Sequence, residues 1–213
     1  MTESKLTIAA GIYLVIDPAM DEKNLLYKLA NILNEKIVAV QLWDNFRENQ
    51  PIEKLVQEIY GLCSVKNVPV LINNQWEYLM NTALSGVHFD HIPENFECIK
   101  AKVNKPFITG ITCTNDLAQV HWAAAHQLDY ISFCSMFPSS TATSCELVNF
   151  DTVREAGNIF KKPVFLAGGI KPENIYKLSE LNYSGIAVIS GIMNAENPIK
   201  SIQEYYENLI LQK

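Results

Sequence analysis

Short apolar runs alternate with longer amphipathic segments along the whole chain. The runs cover residues 12–17, 37–43, 68–73, 86–89, 106–112, 129–134, 163–167 and 185–190, and they are rich in Val, Ile and Phe. They are continuous rather than alternating, the pattern of strands covered on both faces in a parallel sheet. The intervening segments repeat at helical spacing. Pro51 opens one with Ile52, Leu55, Val56, Ile59 and Cys63 on a single face, and proline suits a first helical position. Pro172 opens another, carrying Ile175, Leu178 and Leu181, and Pro198 opens the last, which ends near Leu211. Asn115 or Asp116 is placed to cap the segment containing Leu117, Val120 and Ala124.

Eight strands, each followed by a helix or a short connection, predict a closed (β/α)₈ TIM barrel occupying residues 1–213 as a single domain. An open doubly wound sheet is the competing architecture, but no G-x-G-x-x-G follows any strand. Residues 89–106 leave room for only a brief helix. Residues 134–150 are long, polar and rich in Ser and Thr, and long loops in compact domains are often functional.

Composition narrows the function. At 213 residues the chain has the size of a one-domain barrel. A net charge of −6 argues against a nucleic-acid partner, although backbone N–H groups still bind anions without any lysine. The five cysteines are scattered, odd in number and form no C-x-x-C pair, so neither structural zinc nor a disulfide framework is expected. Reduced thiols fit a cytoplasmic protein. The N-terminus lacks a signal-peptide pattern, and no apolar stretch has the roughly 18 residues of a membrane span. Tyr205 and Tyr206 are candidates for a homo-oligomer contact or for closing the barrel bottom.

Two turns carry candidate chemistry. Ala167-Gly168-Gly169-Ile170 follows the seventh strand, and Ser190-Gly191-Ile192 follows the eighth. In barrels these loops often bind phosphate. Glycine admits close backbone approach, successive N–H groups point at the anion, and Ser190 adds a hydroxyl. His88-Phe89-Asp90-His91, ending the fourth strand, resembles a short metal-binding cluster. Cys113 reads as a small buried hydrophobe in the barrel wall.

An ordered series of segments resembles the thiamine phosphate synthase and TenI family. GIYLVID matches its first strand, VQLW its VQLR, LINNQ its INDR, and SGVHF its GVHL. GITCTN matches its fifth-strand segment, DYISFCSMFPSSTAT its DYIGxGPxFPTxTK, and FLAGGI and GIAVISGI its two phosphate turns. The resemblance implies a protein of thiamine biosynthesis that joins a hydroxymethylpyrimidine diphosphate to a thiazole phosphate. Pyrophosphate leaves, with Mg²⁺ on the diphosphate. By position, Gly168, Gly169, Ile189 and Ser190 would hold the phosphate of this small heterocycle. Gln41, Asn73 and Asn74 would face the pyrimidine or its diphosphate. Thr112, Ser139 and Thr141 would take the catalytic positions, and the family's metal-binding aspartate is either gone or replaced by Asp90.

The departures fall on charged groups. The family arginine of VQLR is Trp43, which either stacks on a heterocycle or fills the vacated space. The next lysine is Asn45. The aspartate and arginine of INDR are Asn74 and Gln75, and the loop lysine is Ala142. Losing a single preorganised donor costs about 10²–10³ in rate. Three readings follow: a synthase of altered activity, a TenI-like paralogue that binds a thiazole or thiamine phosphate with isomerase or no activity, and a non-enzymatic regulatory barrel.

Overall fold

The computed structural model describes residues 7–33, 36–139 and 146–210. Eight parallel strands close into a barrel in chain order: β1 (Gly11–Ile16), β2 (Ile37–Leu42), β3 (Val70–Asn73), β4 (Gly86–Phe89), β5 (Ile108–Cys113), β6 (Tyr130–Cys134), β7 (Val164–Ala167) and β8 (Gly185–Val188). Around them run α1 (Glu22–Ile32), α2 (Ile52–Ser64), α3 (Tyr78–Asn81), α4 (Phe96–Val103), α5 (Ala118–Ala125), α6 (Phe150–Ile159), α7 (Ser190–Met193) and α8 (Pro198–Ile210). The predicted TIM barrel is therefore present.

Four strands start later than the apolar runs that announce them, and proline explains three of the four. Pro69, Pro106 and Pro163 precede β3, β5 and β7, and a proline has no N–H for the ladder. Pro69 and Pro163 still accept from the neighbouring strand through their carbonyls, at 3.0 and 3.1 Å. Pro51 is the cap of α2 rather than its first residue. The segment opened by Pro172 winds as a 3₁₀ helix, Pro172–Leu178, instead of an α-helix. Asp116 accepts from Ala118 N at 2.9 Å. Asn115 does something else: its amide donates to Leu147 O and accepts from Asn149 N, tying the fifth loop to the sixth.

Strand periodicity sorts the side chains into two cores. Outward residues such as Leu14, Val40, Ile72, Ile131 and Leu166 pack against Leu25, Leu29, Leu55 and Ile59 of the helices. Inward residues form a separate cluster of Tyr13, Val15, Ala39, Leu71, Ile108, Tyr130 and Phe165. Tyr13, Tyr130 and Phe165 meet pairwise with centroids 5.4–5.8 Å apart and fill the barrel's middle. The outward parity also disposes of Cys113, which lies fully buried in the outer core with its thiol pushed up to about 12 by burial.

Candidate active site

Above the aromatic plug the inward positions turn polar. Gln41, Asn73, His88 and Ser132 are all buried, and Thr112 is half-buried. Strand register sets them side by side. Asn73 lies opposite His88, His88 opposite Gly110, Gly110 opposite Tyr130, and Thr112 opposite Ser132. Gly110 is the enabling position. A Cβ there would stand 2.1 Å from the Tyr130 ring, so only glycine lets the Tyr130 phenol cross β5 and reach His88.

The result is a continuous hydrogen-bonded ring. Asn73 Nδ2 donates to His88 O (3.3 Å), Gln41 Nε2 to Asn73 Oδ1 (3.0 Å) and Tyr13 Oη to Gln41 Oε1 (2.7 Å). Tyr13 and Tyr130 hydroxyls meet at 2.7 Å. His88 Nδ1 lies 2.8 Å from Tyr130 Oη, and His88 Nε2 lies 2.8 Å from Thr112 Oγ1. Burying this many polar atoms is tolerable because each has a partner. Burial pushes both phenols well above their usual range, and lowers His88 to about 4 against a weaker raising effect from Asp90. At neutral pH the ring is thus uncharged.

A second polar group sits at the ends of β2, β3 and β4. Asn74, in the left-handed region at φ 55° that asparagine tolerates, donates from Nδ2 to Asp44 Oδ2 (2.7 Å) and to Asp90 Oδ2 (2.9 Å). Its side-chain oxygen Oδ1 accepts from Asp90 N at 2.9 Å. Among the described residues no group of three or more His, Cys, Asp or Glu side chains is disposed to hold a metal. Two carboxylates converging on one amide nitrogen nevertheless suit Mg²⁺, which takes hard oxygens from one or two carboxylates and fills the rest with water and phosphate. Asp44 was not among the residues expected from the sequence, because it lies between two positions where the family carries cations.

The glycine turns lie where expected. Ala167 pairs with Ala187, so Gly168–Gly169 and Ile189–Ser190 leave adjacent strands at the same end of the barrel. Gly168 and Gly169 have φ of +84° and +65°. The sixth loop is laid on this turn, with Met136 N donating to Ala167 O and Phe137 N to Gly168 O. From beneath, Tyr205 donates to Ile170 O at 2.9 Å and abuts Gly191, while Ser201 donates to Gly191 O at 2.6 Å. Tyr205 is therefore a buried prop for both turns rather than a subunit contact. Tyr206 lies half-buried under Lys36 Nζ, 4.9 Å from its ring centroid.

Other expected residues fall into place around the mouth. Trp43 is half-buried against the inner cluster, in company with Ala187 and Ile189. Asn45 donates to Asp17 at 3.1 Å, and Arg47 donates to Ala19 O, so the second loop is fastened to the first. Ser139 lies half-buried in the sixth loop. Thr141 and Ala142 lie outside the described residues. Tyr13 and Tyr130 escaped the sequence reading because tyrosine inside an apolar run looks like packing. Their inward parity, shared with Gln41, Asn73 and Thr112, was the available signal.

Comparison with known proteins agrees with this geometry. The family described as thiamine monophosphate synthase, TMP-TENI, matches residues 12–192. A thiamine-phosphate synthase of Xylella fastidiosa is 28% identical over 195 residues, covering 92% of this chain and 82% of that protein. One from Azoarcus sp. is 27% identical over 197 residues, covering 92% and 95%. A solved thiamine phosphate pyrophosphorylase from Pyrococcus furiosus superposes with a TM-score of 0.80 at 18% identity, over 95% of this chain and 96% of that one. Orotidine 5′-monophosphate decarboxylase from Methanocaldococcus jannaschii shares the fold at a TM-score of 0.66 and 16% identity. With its motifs in register on a closed barrel, the chain belongs to the thiamine monophosphate synthase (TMP-TENI) family.

Proposed function

We propose that the chain is a synthase-type transferase that couples a pyrimidine carrying a methylene diphosphate to a thiazole phosphate. The observation that supports it is the juxtaposition of two glycine turns after β7 and β8 with a closed, uncharged polar ring in the same barrel mouth. One element suits a phosphate and the other a neutral heterocycle with hydrogen-bonding edges. The methylene carbon–oxygen bond breaks, and the electron pair leaves with pyrophosphate. The thiazole nitrogen lone pair then forms the new carbon–nitrogen bond, so the thiazole ring becomes cationic and no proton is transferred.

The protein's share is placement. Gly168, Gly169, Ile189 and Ser190 seat the thiazole phosphate. Gln41, Asn73 and Thr112 orient the pyrimidine, and Trp43, packed against the inner cluster, supplies an aromatic face. Ser139 belongs to the loop that follows β6. Asp44 and Asp90 would hold Mg²⁺, which supplies positive charge to the leaving diphosphate.

The second reading is a paralogue that binds the thiazole phosphate without coupling it. The substitution of cations by Trp43, Asn45 and Gln75 favours it. Wild type and Ser190→Asp, mixed with hydroxymethylpyrimidine diphosphate, thiazole phosphate and Mg²⁺, separate the readings. Pyrophosphate and thiamine phosphate released together by wild type alone support the synthase. No turnover, with thiazole phosphate raising the melting temperature of wild type only, establishes the paralogue. No turnover and no ligand-dependent shift refutes both.

A further inference from the structure

We propose that Tyr13, Tyr130 and His88 are positioning residues whose one-way hydrogen-bond chain dictates which atoms of Thr112, Gln41 and Asn73 meet the substrate. The chain has a single anchor, the His88 carbonyl, which can only accept. It takes Asn74 N–H at 2.8 Å and Asn73 Nδ2 at 3.3 Å. Asn73 must therefore turn its nitrogen toward that carbonyl and its oxygen toward Gln41. Gln41 must donate to that oxygen and turn Oε1 toward Tyr13. The single Tyr13 proton is then spent on Gln41, so the 2.7 Å contact with Tyr130 uses the Tyr130 proton. Tyr130 has none left for His88, and His88 Nδ1 must carry the proton across the 2.8 Å gap.

Both imidazole nitrogens face hydroxyl oxygens rather than a carboxylate, and the ring is buried and neutral. With Nδ1 protonated, Nε2 is a bare acceptor. The Thr112 hydroxyl must donate to it at 2.8 Å. The backbone of His88 thereby fixes the tautomer of its own side chain through five intervening hydrogen bonds. Thr112 is left with lone pairs alone, so it can only accept from a substrate N–H or O–H. Gln41 and Asn73 each keep one spare N–H on the neighbouring strands. The consequence for the substrate rests on the synthase reading, whereas the tautomer does not.

Breaking the chain at its middle inverts its end. In Tyr13→Phe, Tyr130 loses its acceptor, and its proton turns to His88 Nδ1. The imidazole then moves its proton to Nε2, and Thr112 becomes the acceptor from it. The experiment is ¹⁵N NMR of histidine-labelled protein at neutral pH, with the His88 signals assigned by their loss in His88→Gln among the four histidines. The expected result is the Nδ1–H tautomer in wild type and Nε2–H in Tyr13→Phe. Affinity for hydroxymethylpyrimidine diphosphate should fall about tenfold in that variant, the weight of one misdirected hydrogen bond. Thiazole phosphate affinity should change by less than about twofold. If Tyr13→Phe does not fold, Tyr130→Phe removes the Nδ1 acceptor and should leave both tautomers populated. A wild-type Nε2–H tautomer, or an unchanged Nδ1–H tautomer in the variants, overturns the proposal. A barrel without turnover but with the predicted tautomers would refute the synthase and leave the relay standing.

Discussion

Substituting Gly169 by alanine tests whether the turn after β7 needs glycine for its shape. The residue sits at φ +65°, where a Cβ costs about 1–2 kcal/mol. That Cβ would also stand 2.5 Å from the carbonyl oxygens of both Phe137 and Pro138. These are backbone atoms, so relief requires the sixth loop to lift. Lifting it strains the contacts Met136 N to Ala167 O (2.8 Å) and Phe137 N to Gly168 O (3.0 Å), each worth about 0.5–1.5 kcal/mol. The sum is about 2–5 kcal/mol, or a melting temperature lower by on the order of 10 °C for a domain of this size. Urea unfolding and thermal melts, with and without thiazole phosphate, measure the loss of stability and of ligand protection. Gly157→Ala is the control. It lies inside α6 with nothing within 4 Å of the added carbon, and should stabilise by about 0.5–1 kcal/mol. A Gly169→Ala protein within about 0.5 kcal/mol of wild type, the ordinary range of neutral surface changes, would refute the reasoning.

Two further perturbations address the polar ring. His88 is held neutral down to about 4, below its unfolded value near 6.5, so the unfolded chain takes up the proton first as pH falls. Its contribution is present above about 6.5 and is lost progressively toward pH 4, at about 1.4 kcal/mol per unit. The stability difference between wild type and His88→Gln should therefore shrink by about 2 kcal/mol between pH 7 and pH 5 in urea titrations. An unchanged difference would show that the imidazole titrates normally. Gly110→Ala would drive a Cβ into the Tyr130 ring at 2.1 Å, and should cost about 1–3 kcal/mol in equilibrium unfolding, as overpacking does. A neutral effect would mean that Tyr130 does not cross β5.

Much of the architecture was legible because a parallel barrel writes itself as eight continuous apolar runs. Their number and order survive in β1 to β8, with ends trimmed where Pro69, Pro106 and Pro163 withhold an N–H. The glycine turn after β7 was legible as well, since positive φ at Gly168 and Gly169 demands the residue type seen. The departures from family charges at Trp43, Asn45 and Asn74 were visible as plain substitutions. What those residues touch was not visible. Asp44 looks like one more loop acid until Asn74 brings it and Asp90 to the same nitrogen.

The sequence by itself determined the strand count, the inward–outward parity and the glycines that place two turns at one end of the barrel. These are local properties of a chain with a period of two in strands and a fixed steric map. Tertiary structure alone decided the ring joining Tyr13, Gln41, Asn73, His88, Thr112 and Tyr130, whose members lie up to 117 residues apart in contact. Strand stagger brings them level, and Gly110 leaves the gap they meet across. A hydrogen-bond direction is a property of a closed set of neighbours, so no linear pattern in the chain could specify it.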